Sequence, residues 1–330
     1  MHVATFRATL ALLCLFALVQ APAQASVVAR ERVSLGSLSD ASDGIFVAEV
    51  SATSPRLVLT VASALRGPAL TRIELDPGRY VRFRTGQRAV FFLRRAPGGA
   101  WRPLVTEYQR ILIANPALEL ELVTAIRGRI PSLYGNAAAL AQGLFDQLES
   151  AQGRIREDAA WDLLRLKTHQ PTAAQRAKLL SALKRAATTP LLRVCARWPE
   201  PAMLQPALDV ARQNPGDLRQ EAGRALEAID AGGAMTALER DLRLGTRIAG
   251  LHATGVARAL RDGAAGQLLA TALGHRLEEV RYAAVKGLSQ RELNSLQLAS
   301  LELAVWTPNS RRVSSAGVAA LALTAPGSVL

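Results

Sequence analysis

One pattern returns through the second half of the chain: Arg-x-x-Ala-x-x-x-Leu. It stands at Arg156/Ala159/Leu163, Arg219/Ala222/Leu226 and Arg281/Ala284/Leu288, with looser echoes at Arg193/Ala196, Arg247/Gly250 and Arg312/Ser315. The six starts fall 37, 26, 28, 34 and 31 residues apart. A period near thirty without strand signals predicts stacked helix pairs, because one pair cannot bury its apolar face alone. Positions i, i+3, i+4 and i+7 share one helix face. Ala at i+3 lets neighbouring helices approach closely, and Leu at i+7 fills the core between them. Such a stack is a surface for holding something and supplies no chemistry of its own.

The helical period begins near Pro116, which can occupy a first helical turn. Arg127 to Gly135 holds Pro131 and two glycines, and the sequence predicts a linker at 127–136. Helices are predicted near 137–149, 154–168 and 172–187, with further pairs to about 323 and a tail at 324–330. Pro171, Pro190, Pro199, Pro201, Pro206, Pro215 and Pro308 fall between the runs or at their starts.

Residues 41–114 have a different period. Predicted strands cover Ile45–Val50, Leu57–Val61, Ile73–Leu75, Tyr80–Arg84, Ala89–Leu93 and Leu104–Thr106. Turn residues separate them: Ser54-Pro55, Arg66-Gly67-Pro68, Asp76-Pro77-Gly78, Thr85-Gly86 and Pro97-Gly98-Gly99. Short strands at this spacing predict a small antiparallel barrel or sandwich. The fold class is therefore α+β in two domains, with a β-barrel over 26–126 and an α-solenoid over 137–323.

Both segments resemble known families. Asp43-Gly44-Ile45-Phe46-Val47-Ala48-Glu49-Val50, Ala64-Leu65-Arg66-Gly67, Gly86-Gln87-Arg88-Ala89-Val90-Phe91-Phe92-Leu93 and Trp101 resemble bacterial domains related to tissue inhibitors of metalloproteinases. These share an OB-like barrel with netrin modules. Family inhibitors present an N-terminal Cys to a protease's catalytic zinc. Here the domain has no cysteine, so the resemblance carries the barrel and not the inhibition. Ile155-Arg156-Glu157-Asp158-Ala159-Ala160, Asp217-Leu218-Arg219-Gln220-Glu221-Ala222 and Glu279-Val280-Arg281-Tyr282-Ala283-Ala284 resemble HEAT-type repeats of the phycobilisome-lyase kind. That resemblance implies that each repeat Arg pairs with an Asp or the backbone of the next repeat.

The first 25 residues read as a signal peptide. Arg7 forms a basic start, Leu10 to Val19 an apolar run too short to span a bilayer, and Ala23-Gln24-Ala25 a cleavage site before Ser26. The expectation is an exported protein, periplasmic or extracellular, with no membrane span. Cleavage between Ala25 and Ser26 leaves Cys195 as the sole cysteine, so no intrachain disulfide forms. It also removes Arg7 and no acid, taking the formal charge from +13 to +12. Of the 40 basic residues only four are Lys. A GC-rich bacterial coding sequence accounts for the Arg excess; so does an anionic partner drawn by the positive field.

Catalytic signals are sparse. His169, His252 and His275 have no metal-spaced partner, and no phosphate-cradling glycine motif is present. Ser181-Ala182-Leu183-Lys184 matches a penicillin-recognising tetrad without its companion motifs. Cys195 lies between Arg193 and Arg197, but neighbours at i±2 point away on a helix. The sequence implies no enzyme, no metal and no cofactor. The barrel offers one basic face: with Val81 and Phe83 inward, Arg82 and Arg84 point out, near Arg79 and Arg88. A solvated surface and an oligosaccharide- or oligonucleotide-binding face both fit that pattern. Weak aromatic interleaving argues against nucleic acid. Three binding roles follow: a protein scaffold through the solenoid, a protease inhibitor through the barrel, or a binder of anionic envelope polymers through the arginine face.

Overall fold

A computed structural model describes residues 33–75, 83–104, 110–130, 136–306 and 310–324. The predicted cleavage site at Ala25 and Ser26, Arg79, Arg82 and residues beyond Thr324 lie outside them.

The barrel is preceded by a helix the sequence pattern did not announce, α1 (Leu35–Ala41). Ser34 caps it by accepting from the Ser37 N–H, and Leu35 and Leu38 are buried. Six strands follow: β1 (Gly44–Ala52), β2 (Leu57–Arg66), β3 (Arg72–Leu75), β4 (Arg88–Arg95), β5 (Trp101–Pro103) and β6 (Arg110–Leu112). The order is β3-β2-β1-β4-β5, with β6 also on β4, and every pairing is antiparallel. β3 and β5, the two ends of this order, come into contact, so the sheet rolls into a small barrel. Phe46, Ala48, Val50, Leu57, Leu59, Ile73, Phe91 and Leu93 fill its interior. Ile45, Val47, Val90 and Phe92 point to the other face and are buried too. That face is not left to water: α1 packs on β4 and the helix after the barrel packs on β2. A strand buried on both sides reads as a continuous apolar run, as Ile45–Ala48 does.

Two predicted strands fall mostly on residues outside those described. Phe83 and Arg84 are not in a strand, because they lead into the turn before β4: the Gln87 N–H donates to the Arg84 carbonyl, and Gly86 has φ of 81°. Residues 80–82 lie outside the described residues. Of the strand expected at Leu104–Thr106, residues 105–106 lie outside the described residues; just before it a strand occupies Trp101–Pro103. The tight turn at 96–100 sets that register, with Arg95 opposite Trp101, and Trp101 packs edge-on against Phe46 at 5.4 Å.

Helix α2 (Pro116–Arg129) opens on Asn115, whose side chain caps the Leu118 N–H. It runs into the predicted linker. Arg127 and Arg129 form its basic last turn, where cations suit the helix dipole. The Arg129 side chain is 2% exposed, so the first residues of the predicted linker are helical and anchored, while residues 131–135 lie outside the described residues.

The stack contains α3 (Ala137–Gln147), α4 (Gly153–Arg165), α5 (Ala173–Arg185), α6 (Thr189–Arg197), α7 (Leu204–Gln213), α8 (Asp217–Arg243), α9 (Arg247–Ala259), α10 (Gly263–Ala272), α11 (Glu278–Leu288), α12 (Ser295–Trp306) and α13 (Arg311–Thr324). α8 is two helices joined across a kink. Asp230 breaks it with φ −168° and ψ 92°, and its carboxylate caps the Gly233 N–H. Splitting there gives six pairs among the described residues, and each repeat Arg opens the second helix of one pair. One continuous core runs from Leu144 to Leu321. Ala159, Leu163, Ala222, Leu226, Ala284 and Leu288 are all fully buried in it, as the motif requires.

Ser34–Leu330 form one compact unit. Asp162 on α4 ties its parts together: its carboxylate accepts from Ser34 Oγ, from the Gly36 N–H at 3.0 Å and from Arg129 Nε at 2.8 Å. A Cβ on Gly36 would stand 2.4 Å from that carboxylate, so α1 docks only because residue 36 has no side chain.

Candidate functional site

Of the predicted basic barrel face, Arg84 and Arg88 are described, and Arg79 and Arg82 lie outside the described residues. Arg88 is committed to Glu119 on α2 through two hydrogen bonds of 2.7 Å. The guanidinium bond to Glu119 raises the Arg88 pKa, and the same bond lowers that of Glu119. Arg84 is exposed, with its backbone N–H on the Gln87 side chain. What the barrel does present is Arg94 opposite Arg102 across β4 and β5, both exposed.

The repeat arginines are structural, but their partners differ from the family expectation. Arg156 donates to the carbonyls of Ser150 and Ala151, Arg219 to those of Ala211 and Arg212, and Arg281 to those of His275 and Arg276. These carbonyls end, or follow, the first helix of the same pair rather than belonging to the next repeat. The last carbonyls of a helix lack intrahelical donors, and a guanidinium on the following helix reaches them. The looser echoes act between pairs. Arg193 meets Glu221 at 2.8 Å, Arg247 meets Glu279 at 3.4 Å, and Arg312 stacks 4.1 Å from the Tyr282 ring centre.

Cys195, His169 and His275 are held in the packing of the stack. Cys195 is fully buried, and desolvation pushes its thiol up to about 12, so it stays protonated at neutral pH. His169 bonds Gln175 at 3.0 Å and lies between Phe145 and Trp198. The buried His275 accepts the Leu277 N–H at Nδ1, and burial, then Arg276, lowers its pKa. His252 is half-buried on α9. Among the described residues no group of His, Cys, Asp and Glu could hold a metal ion. No described helix is long and apolar enough to cross a membrane.

A cavity of about 580 Å³ lies where the third to sixth pairs meet. Gln220 and Arg224 reach it from α8, and Arg258 from the end of α9. Arg261 follows in the next loop, Gln290 and Arg291 come after α11, and Asn294 and Gln297 begin α12. Four guanidiniums face one lining carboxylate, Glu292. Arg291 donates to the carbonyls of Ala257, Leu260 and Asp262, which fixes the loop wall. Arg224 meets Glu221 at 2.8 Å, and Arg258 donates to Gln290 Oε1 at 3.2 Å. No partner of the Arg261 guanidinium is found among the described residues. Just behind the wall, burial and then nearby Arg258 lower the pKa of Arg219.

The amides are oriented by the same bonds. Asn294 Oδ1 accepts the Gln297 N–H at 2.9 Å, and Gln297 Oε1 accepts the Asn294 N–H at 3.1 Å. With Gln290 Oε1 taken by Arg258, these side chains leave NH₂ groups for the cavity. Gly266 belongs to this design, since a Cβ there would stand 2.5 Å from Gln297 Nε2. The cavity is thus rich in donors and poor in acceptors, which suits anionic oxygens.

Sequence reasoning missed this site because its residues are scattered over helix starts, helix ends and loops of successive pairs and share no motif. One signal was present: Arg258 and Arg291 stand 33 residues apart, one repeat period. No protein-family model matches the chain, and no curated protein matches it either.

Proposed function

We propose that the chain is an exported, non-enzymatic binding protein whose HEAT-like stack holds a protein partner. The observation that supports this most is the donor-lined cavity between pairs, beside titratable groups that are spent on packing. Its walls come from successive pairs, so occupancy links them without requiring any reacting group. A photo-crosslinking residue placed at the exposed Gln220 should capture a protein from the exported fraction of the native host. The same residue at Arg84 should not capture it. Ester, glycoside, peptide or phosphate turnover that copurifies with the chain and is lost on His252→Ala or Cys195→Ser would overturn the reading.

Arg94 opposite Arg102 favours a second reading, in which the OB-like barrel takes an anionic envelope polymer. Like charges in register repel unless an anion lies between them. Binding there should weaken steeply with ionic strength and disappear in Arg94→Ser/Arg102→Ser. No observation supports protease inhibition through the barrel.

A further inference from the structure

We propose that the cavity between α8, α9 and α12 takes an extended acidic peptide segment of the partner. The inference rests on the protein-binding reading above and names what part of the partner is held.

Charge sets the sign of the ligand. Arg224, Arg258, Arg261 and Arg291 face Glu292 alone among the lining acids. Arg224 is shared with Glu221, and Arg291 is spent on three carbonyls. Arg258 gives one N–H to the neutral Gln290 and keeps its charge unpaired among the described residues, so it and Arg261, both exposed, are the guanidiniums that can recognise a carboxylate. Guanidinium forks match carboxylates in a bidentate way. The volume lies in the range of ligand clefts, about 300–1,000 Å³.

The rest of the lining separates one anion class from another. No aromatic side chain lines the cavity, so a nucleobase or sugar ring has nothing to stack on. The lining also includes Ala259 and Gly263, small surfaces against which the methylenes of Glu and a peptide backbone pack. The free NH₂ groups of Gln290 and Asn294 suit peptide carbonyls. A densely charged polyphosphate chain would need contiguous cations and would leave those apolar surfaces unused.

The test uses the full chain and fluorescence anisotropy. The probes are a labelled twelve-residue peptide alternating Glu with Ser, its Lys-for-Glu counterpart, and inorganic polyphosphate as competitor. The Glu peptide should bind and the Lys peptide should not. Arg258→Gln/Arg261→Glu should weaken the Glu peptide at least about tenfold, as expected for lost hydrogen bonds to a charged group. Both side chains are exposed, so the melting temperature should not move, and Arg84→Glu should bind like wild type. Equal affinity in the double variant and wild type overturns the proposal, as does no binding of the Glu peptide. Polyphosphate binding that depends on Arg258 and Arg261 and excludes the peptide overturns the peptide class. A protein captured at Gln220 and held equally by the double variant leaves the scaffold reading standing and removes this cavity from it.

Discussion

At the scale of single residues, burial separates positions that look alike in sequence. Ala222 is fully buried where α8 meets its neighbours, and an aspartate there would bury an unpaired carboxylate. Ala222→Asp should lower stability by several kcal/mol, whereas Arg84→Glu on the exposed turn should stay within about 0.5 kcal/mol. Thermal melts of the two variants check this, and equal melting temperatures for Ala222→Asp and wild type would place the motif register wrongly. The Arg88–Glu119 pair gives a pH signature. Glu119 has a folded pKa below its ordinary value, through its bond to Arg88. Its contribution is therefore present above the unfolded carboxylate pKa of about 4.3, and is lost as pH falls through the folded pKa. Arg88→Ala should destabilise the protein at pH 7 and shrink that difference below pH 4. A constant difference from pH 7 to pH 3 would contradict the assignment.

At the scale of elements, helix ends matter as much as helix faces. Arg291 donates to three carbonyls at the end of α9 and in its following loop, joining the fourth pair to the fifth. Arg197 does the same to Leu164, Leu166 and Lys167 at the end of α4. Such carbonyls have no intrahelical donor, so Arg291→Ala should cost about 2 kcal/mol. Arg247 makes only an exposed pair with Glu279, and Arg247→Ala should cost less than about 1 kcal/mol. Hydrogen exchange adds a local readout: the Arg291 variant should lose protection in residues 257–262 first. Uniform loss across the stack would mean that the arginine acts through general packing. The break at Asp230 belongs to this scale too. Its carboxylate caps the second half of α8 and turns one long helix into the end of one pair and the start of another.

At the scale of the whole molecule, the barrel segment and the stack meet at Asp162. Its carboxylate gathers Ser34, Gly36 and the buried Arg129. Removing it breaks the buried Arg129–Asp162 ion pair, a change that typically costs about 3–5 kcal/mol. α1 and its cap would then lose the hydrogen bonds from Ser34 and Gly36 and stay tied to α4 only by Arg165, which donates to Ser37 and Asp40. Asp162→Ala should therefore split the unfolding of the chain, with the strand region melting below the stack. Differential scanning calorimetry with circular dichroism at strand-sensitive and helix-sensitive wavelengths would detect it. A thermogram superimposable on wild type would show that Asp162 does not couple the two.

The sequence by itself determined the period, the faces and the broad architecture. Ala159, Ala222 and Ala284 are buried because spacing on a helix decides which side chains share a face. β1 and β4 sit where apolar runs bounded by turn residues placed them, and Pro116 opens its helix because its ring fits a first turn. These are local consequences of chain geometry. Tertiary structure decided where the arginines go. A guanidinium on a long flexible stem takes whichever acceptor the fold brings within reach, so Arg88 met Glu119, and Arg219 turned back to its own pair. α1 stayed hidden because its stability lies in Asp162, more than a hundred residues away. The cavity did as well: Arg224, Arg258 and Arg291 come from separate pairs. Only the stacking of those pairs sets the distance between them.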